Sequence, residues 1–105
     1  MTKPAVRAPA HLSLASRRLF RSVVESYQLE DWHVRLLTTA LEAQDTAEEA
    51  RLRIEQDGPF VATRFGELKS HPAIAVQRDA QAAALRAWKA LGLDVESPTN
   101  PSPRR

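Results

Sequence analysis

DWHVRLLTTALEAQDTAEEARLRIEQD, residues 31–57, decides the fold. It runs for 27 residues without Gly or Pro. Leu, Ala, Glu and Arg dominate it, and these side chains lose little freedom on a helix. Leu36, Ala40, Ala43, Ala47, Ala50 and Ile54 recur at steps of four and three, which marks one helix face close to a heptad seam. A second seam, Val34, Leu37 and Leu41, lies beside it. A helix of this length reaches roughly 40 Å at 1.5 Å per residue. Asp57-Gly58-Pro59 ends it, since Gly tolerates a left-handed cap and Pro cannot continue the helix. The mostly alanine seam lets another helix approach closely while burying little area. Two readings follow from the periodicity: a helix of the same chain covers the seam, or the seam is a subunit interface.

Outward from this helix the chain thins. It has 105 residues, which predicts one domain. Residues 1–10 are expected to form a disordered arm, and the Pro-rich residues 95–105 a disordered tail. One helical domain at 11–94 lies between them. Only six residues are aromatic and seventeen are Ala, a thin core for which oligomerisation is one remedy. There is no cysteine, which excludes disulfides and thiolate metal sites. No stretch reads as a signal peptide or a membrane span, so an intracellular protein without membrane contact is expected.

The net charge of +2 is unevenly spread. Residues 1–35 hold six basic and three acidic side chains, 36–57 two and six, and 58–105 seven and four. The middle of the long helix is therefore acidic and both flanks are basic. A basic flank suits phosphate, and a homo-oligomer would repeat it.

Upstream, Ser13 is a good N-cap for a helix over 13–27, with Leu19, Phe20, Val23, Val24 and Tyr27 as its apolar stripe. Arg17, Arg18 and Arg21 stand on the other side, either as a solvated face or as a phosphate-contacting patch. Leu29-Glu30-Asp31-Trp32 is a short joint, with negative charge where the helix dipole favours it and Trp32 expected to pack against the first helix. A helix this long and acidic along its middle is not a standard major-groove reader.

Downstream, residues 60–69 read as a short β-hairpin or loop, with Phe65-Gly66 as a two-residue turn and Gly66 at positive φ. Ser70-His71-Pro72 opens a last helix over 71–91, with Ser70 as the expected N-cap and Pro in the first turn. Ala73, Val76, Ala80, Ala83, Ala87 and Ala90 form its predicted seam; Ile74, Leu85, Trp88 and Leu91 add bulk. Arg78, Arg86 and Lys89 line another side, and Gly92 stops the helix.

Catalytic chemistry has no visible carrier. Gly58, Gly66 and Gly92 are the only glycines, so no phosphate-cradling loop exists. His11, His33 and His71 are far apart; His33 reads as a surface or half-buried residue and His71-Pro72 as a structural turn. Glu42, Asp45, Glu48 and Glu49 imitate a metal cluster, yet no histidine joins them and a solvated face is the expectation. No catalytic residue, metal or cofactor is assigned.

From Arg64 the chain reads RFGELKSHPAIAVQRDAQAAALRAWKALGLD. Its order of Gly58, Arg64-Phe65-Gly66, Leu68-Lys69, His71-Pro72-Ala73, Arg78-Asp79-Ala80 and Leu91-Gly92-Leu93 resembles the small-subunit terminase family of tailed bacteriophages and prophages. His11-Leu12-Ser13 and Leu29-Glu30-Asp31 also fit, so the resemblance covers roughly His11–Asp94. It implies a non-catalytic subunit that recognises double-stranded viral DNA at the packaging site. It further implies a ring-like homo-oligomer that recruits and regulates the large ATPase-nuclease subunit in the bacterial cytoplasm.

The fold expected is thus mainly α, with three helices near 13–27, 31–57 and 71–91. Arg17, Arg18 and Arg21 are the first candidates for DNA contact, followed by Arg64, Lys69, Arg78, Arg86 and Lys89. Leu36, Ala40, Ala43, Ala47, Ala50 and Ile54 are the candidates for an oligomer interface. The alternative is a small helical DNA-binding regulator acting as a dimer, although no short recognition helix with Asn, Gln or Arg on its first turns is evident. A scaffold that binds a basic partner through the acidic helix is the third class.

Overall fold

The computed structural model describes residues 6–93. Of the segments expected to be disordered, 1–10 and 95–105, all but residues 6–10 lie outside the described residues. Helix α1 (Leu14–Ser26) is followed by α2 (Asp31–Asp57), strands β1 (Phe60–Ala62) and β2 (Leu68–Ser70), and α3 (Pro72–Leu91). The three predicted helices and the hairpin are all present.

The bounds of α2 coincide with the sequence reading. Its first turn is held by a capping box in which the Glu30 backbone N–H donates to His33 Nδ1 at 2.9 Å. At its end the Gly58 N–H donates to the Ile54 carbonyl at 2.7 Å. Gly58 has φ 85° but ψ 160°, so the stop is an extended positive-φ conformation open to Gly rather than the left-handed cap expected. Trp32 is corrected as well. It is 54% exposed and stacks on His33 with ring centroids 3.7 Å apart, instead of packing against α1.

α2 packs antiparallel on α3, and α1 covers one end of this pair. Ala40, Ala47 and Ala50 are buried on α2, and Ala80, Ala84, Ala87 and Leu91 on α3. The α3 seam is therefore turned from the predicted one. Ala84 enters it, while Val76, Ala90 and Leu85 face outward, Leu85 with 70% exposure. With alanine at so many positions the pattern has no contrast to fix its phase. Each buried methyl contributes on the order of 0.8 kcal/mol, so the larger side chains decide stability. Phe20, Leu37 and Leu41 are fully buried and cluster with Leu12, Val23 and Leu91, beneath α1. Trp88 is half-buried beside them and its indole N–H donates to Gln44 Oε1.

The hairpin closes the opposite end. Its antiparallel register pairs Phe60 with Ser70, Val61 with Lys69 and Ala62 with Leu68. The connection is a three-residue loop, Arg64-Phe65-Gly66, not the two-residue turn expected. The Gly66 N–H donates to the Thr63 carbonyl at 2.9 Å and the Thr63 N–H to the Glu67 carbonyl at 2.7 Å. Gly66 sits at φ 85°, as a loop of this length requires at its last position.

Ser70 lies in the strand ladder, so it is not the N-cap of α3; His71 takes that role. The Ala73 N–H donates to His71 Nδ1 at 3.0 Å, which places the ring proton on Nε2, 2.8 Å from Asp57 Oδ2. The His71 N–H donates to the Pro59 carbonyl at 2.8 Å. One buried imidazole thus joins the end of α2, the hairpin base and the start of α3. His71→Ala should lower unfolding free energy by about 1–3 kcal/mol, as a cap and a charge-assisted hydrogen bond are lost together. His71→Asn, which can still cap, should recover part of this. Urea titration of the three proteins checks it, and a loss under about 0.5 kcal/mol in the alanine variant would show that the clasp contributes nothing.

Candidate nucleic-acid interface

α1 buries Ser16, Phe20 and Val23, spaced by four and three, and this fixes where its arginines go. Arg17 and Arg21 fall on one flank, next to Val24. The N-terminal residues 6–10, which contain no helix or strand, run along the same flank, with Ala8 packed against the core cluster. A shallow groove results, lined by Val6, Arg7, Ala8, Ala10, Arg17, Arg21, Val24 and Glu25. Three arginines and one glutamate line it. Arg17 is half-buried, and its Nε is buried with no hydrogen-bond partner among the described residues. A buried donor without a partner costs on the order of 1–3 kcal/mol.

Arg7 was absent from the sequence candidates. It lies in a Pro-flanked segment with no periodicity, and the only signal for it was the basic excess of residues 1–35. Arg35 and Arg53, both exposed on α2, were likewise passed over.

The other candidates do not join this groove. Arg18 is exposed and does not line it. Arg64 is at the hairpin loop, its guanidinium 5.2 Å from the centre of the Phe65 ring. Lys69 is exposed on the hairpin face that also holds Val61. Arg78 approaches Asp79 at 3.4 Å. Arg86 and Lys89 are exposed, one turn apart on α3. α1 and the hairpin lie at opposite ends of the α2–α3 pair. About 16 residues of α2 separate Leu41, beneath α1, from the hairpin, or roughly 24 Å. The eight candidates are thus distributed over the molecule, and of them Arg17 and Arg21 line the groove beside α1.

The acidic run of α2 is not a uniform solvated face. Glu42 Oε2 is 2.7 Å from His11 Nε2. Asp45 accepts from the Ser13 N–H at 2.8 Å, from Ser13 Oγ at 2.7 Å and from Ser16 Oγ at 2.6 Å. Ser13 Oγ in turn accepts from the Ser16 N–H and caps α1, as its place in the sequence predicts. Burial pushes the Asp45 carboxyl up, but the hydrogen bonds from Ser13 and Ser16, with His11 nearby, outweigh it and hold the group below the ordinary aspartate value. Asp45 therefore fastens the start of α1, and with it the arginine groove, to the middle of α2. Glu48 pairs with Arg51 at 2.7 Å. Among the described residues no group of three or more potential metal ligands occurs.

Of the proposed interface stripe, Ala40, Ala47 and Ala50 are buried within the chain by α3, whereas Leu36, Ala43 and Ile54 are half-buried. What a second copy can reach on this stripe is limited to the latter three. No helix among the described residues is long and apolar enough to cross a membrane.

A family model described as "Phage terminase, small subunit" matches residues 16–103. No curated protein and no solved structure matches the chain.

Proposed function

Given that the chain belongs to the phage terminase small-subunit family, a non-catalytic component of phage genome packaging, we propose that it recognises double-stranded viral DNA and hands it to the large subunit. In this reading the chain works as a homo-oligomer in the cytoplasm of the bacterial host, and its Arg7–Arg17–Arg21 groove contacts phosphates. The observation that supports it most is that three arginines, Arg7, Arg17 and Arg21, line one groove. Guanidinium suits phosphate because its planar fork donates two parallel hydrogen bonds. Such contacts position a protein on the duplex without reading its sequence. Specificity for a packaging site then arises from several grooves presented together by the oligomer, or from DNA shape.

The test is DNA affinity as a function of salt. Each phosphate contact releases counterions and adds about 0.9 to the slope of log K against log salt. Arg7, Arg17 and Arg21 changed together to Ala should reduce that slope by about 2–3 and weaken binding across all sequences. Arg86→Ala with Lys89→Ala, on the α3 surface, serves as the comparison. An unaltered slope in the triple variant, with helix content intact, would remove the groove from the interface. Loss on the α3 pair instead would move the contact there.

A further inference from the structure

The hairpin has one bare apolar face. In its register Phe60, Ala62, Leu68 and Ser70 share a face, and Val61 and Lys69 the other. Every residue of the first face is exposed, with Phe60 at 61% and Leu68 at 72%. Phe65, in the adjoining loop, is 79% exposed. An isolated two-stranded hairpin is marginal in water, and a contiguous exposed apolar patch marks an interaction site. No helix among the described residues covers it.

A second bare surface runs along the outer side of α2. Two shallow grooves meet there on the ridge Thr46, Glu49 and Leu52. Leu52 and Val76 offer exposed apolar area on it. Carboxylates outnumber cations along it, but Glu42 lies against His11, Asp45 is held by Ser13 and Ser16, and Glu48 is paired with Arg51; Glu49 and Arg53 also line it. Glu49 is in no ion pair among the described residues, and neither is Arg64 at the hairpin loop.

We infer that the hairpin of one copy seats on the acidic outer face of α2 in a second copy, with Phe60 and Leu68 against Leu52 and Val76 and Arg64 opposite Glu49. The inference rests on the reading of this chain as a homo-oligomer subunit and names the surfaces involved. The two patches are matched in kind, apolar centre to apolar centre and cation to carboxylate. They lie on different elements, so the contact can repeat head-to-tail. Repetition of a head-to-tail contact leaves neither patch uncovered and closes into a ring when the rotation allows. Phosphate is a poor occupant for the hairpin face, because Phe60 and Leu68 gain nothing from it and Lys69 points to the other side.

Native mass spectrometry on the full chain at about micromolar concentration tests this with two variants of exposed residues. Phe60→Ser with Leu68→Ser disables the hairpin, and Leu52→Asp disables the receiving face. Each alone should raise the concentration needed for assembly at least about tenfold and give monomer. Mixed, they should give a one-to-one dimer and nothing larger, since each retains one working patch. Glu49→Arg should also weaken assembly, and Arg64→Glu in the same chain should restore it. Intact assembly in the single-patch variants overturns the inference while leaving the oligomer reading in place. Monomers that do not pair on mixing overturn the proposed pairing. If those variants assemble normally but lose DNA, the hairpin is a DNA contact and the inference fails. A wild-type protein that is itself monomeric defeats both the inference and the oligomer reading.

Discussion

Phe20→Ala should lower unfolding free energy by about 3–5 kcal/mol and the thermal midpoint by about 15 °C or more, at fixed protein concentration. Phe20 is fully buried and touches the cluster of Leu12, Val23, Leu37, Leu41 and Leu91 from the α1 side. The loss combines the transfer free energy of the ring with the cavity left among side chains too rigidly held to collapse into it. Folded chains of this size are stable by only about 5–15 kcal/mol, so one residue accounts for a large share. The effect is large because few bulky side chains are fully buried, and alanine makes up most of the remaining buried residues of α2 and α3. Leu85→Ala is the internal control. Leu85 is exposed on α3, outside every surface assigned a role, and its change should fall within about 0.5 kcal/mol of wild type. Thermal or urea unfolding of the two variants decides the matter. A shift of only a few degrees for Phe20→Ala would mean that α1 is not part of the cooperative core.

Asp45→Ala should cost about 2–4 kcal/mol, because three hydrogen bonds to a charged acceptor are lost and the buried Ser16 hydroxyl is left without its partner. The sign of the accompanying pH effect follows from the depressed carboxyl. Asp45 is more acidic folded than unfolded, so its contribution is fully present above about pH 4, the unfolded aspartate value, and is lost as pH falls through the lower folded value. Wild type should therefore lose stability over that interval, and Asp45→Asn should lose less of it. The expected place of damage is α1. Amide exchange should accelerate in residues 14–26 more than in α3, and the arginine groove built on α1 should loosen with it. Uniform acceleration across all three helices, or none, would contradict the role of Asp45 as a local fastening.

The α2 bounds were legible because the chemistry at both ends is local: acidic residues at the start, Gly58-Pro59 at the stop. The same holds for Ser13 as a cap and Gly66 as a positive-φ residue. What the sequence concealed depends on through-space partners. Ser70 and His71 are both able to cap, and only the pairing of Ser70 with Phe60 across the hairpin selects His71. The phase of α3 was unreadable because alanine is compatible with buried and exposed positions alike, so Val76 and Leu85 were placed inward when they face out. Trp32 is expected against the first helix because it stands at the joint, whereas it stacks on His33 and is more than half exposed. In the candidate interface, helical spacing found Arg17 and Arg21. Arg7 reaches them only through the path of an irregular segment, which leaves no periodic trace.

The uneven distribution of bulk along the helix pair gives the molecule a direction. Among the described residues the fully buried large side chains, Phe20, Leu37 and Leu41, lie at the α1 end, and toward the hairpin the buried residues between α2 and α3 are alanines, with Ile54 and Ile74 only half-buried. Such a pair behaves as a zipper with one sewn end. Thermal opening starts where the least area is lost, at the hairpin, and runs inward until it meets Leu41 and Phe20. His71 and Asp57 act as the latch at the free end, so one imidazole governs the ease of fraying of a strut some twenty residues long.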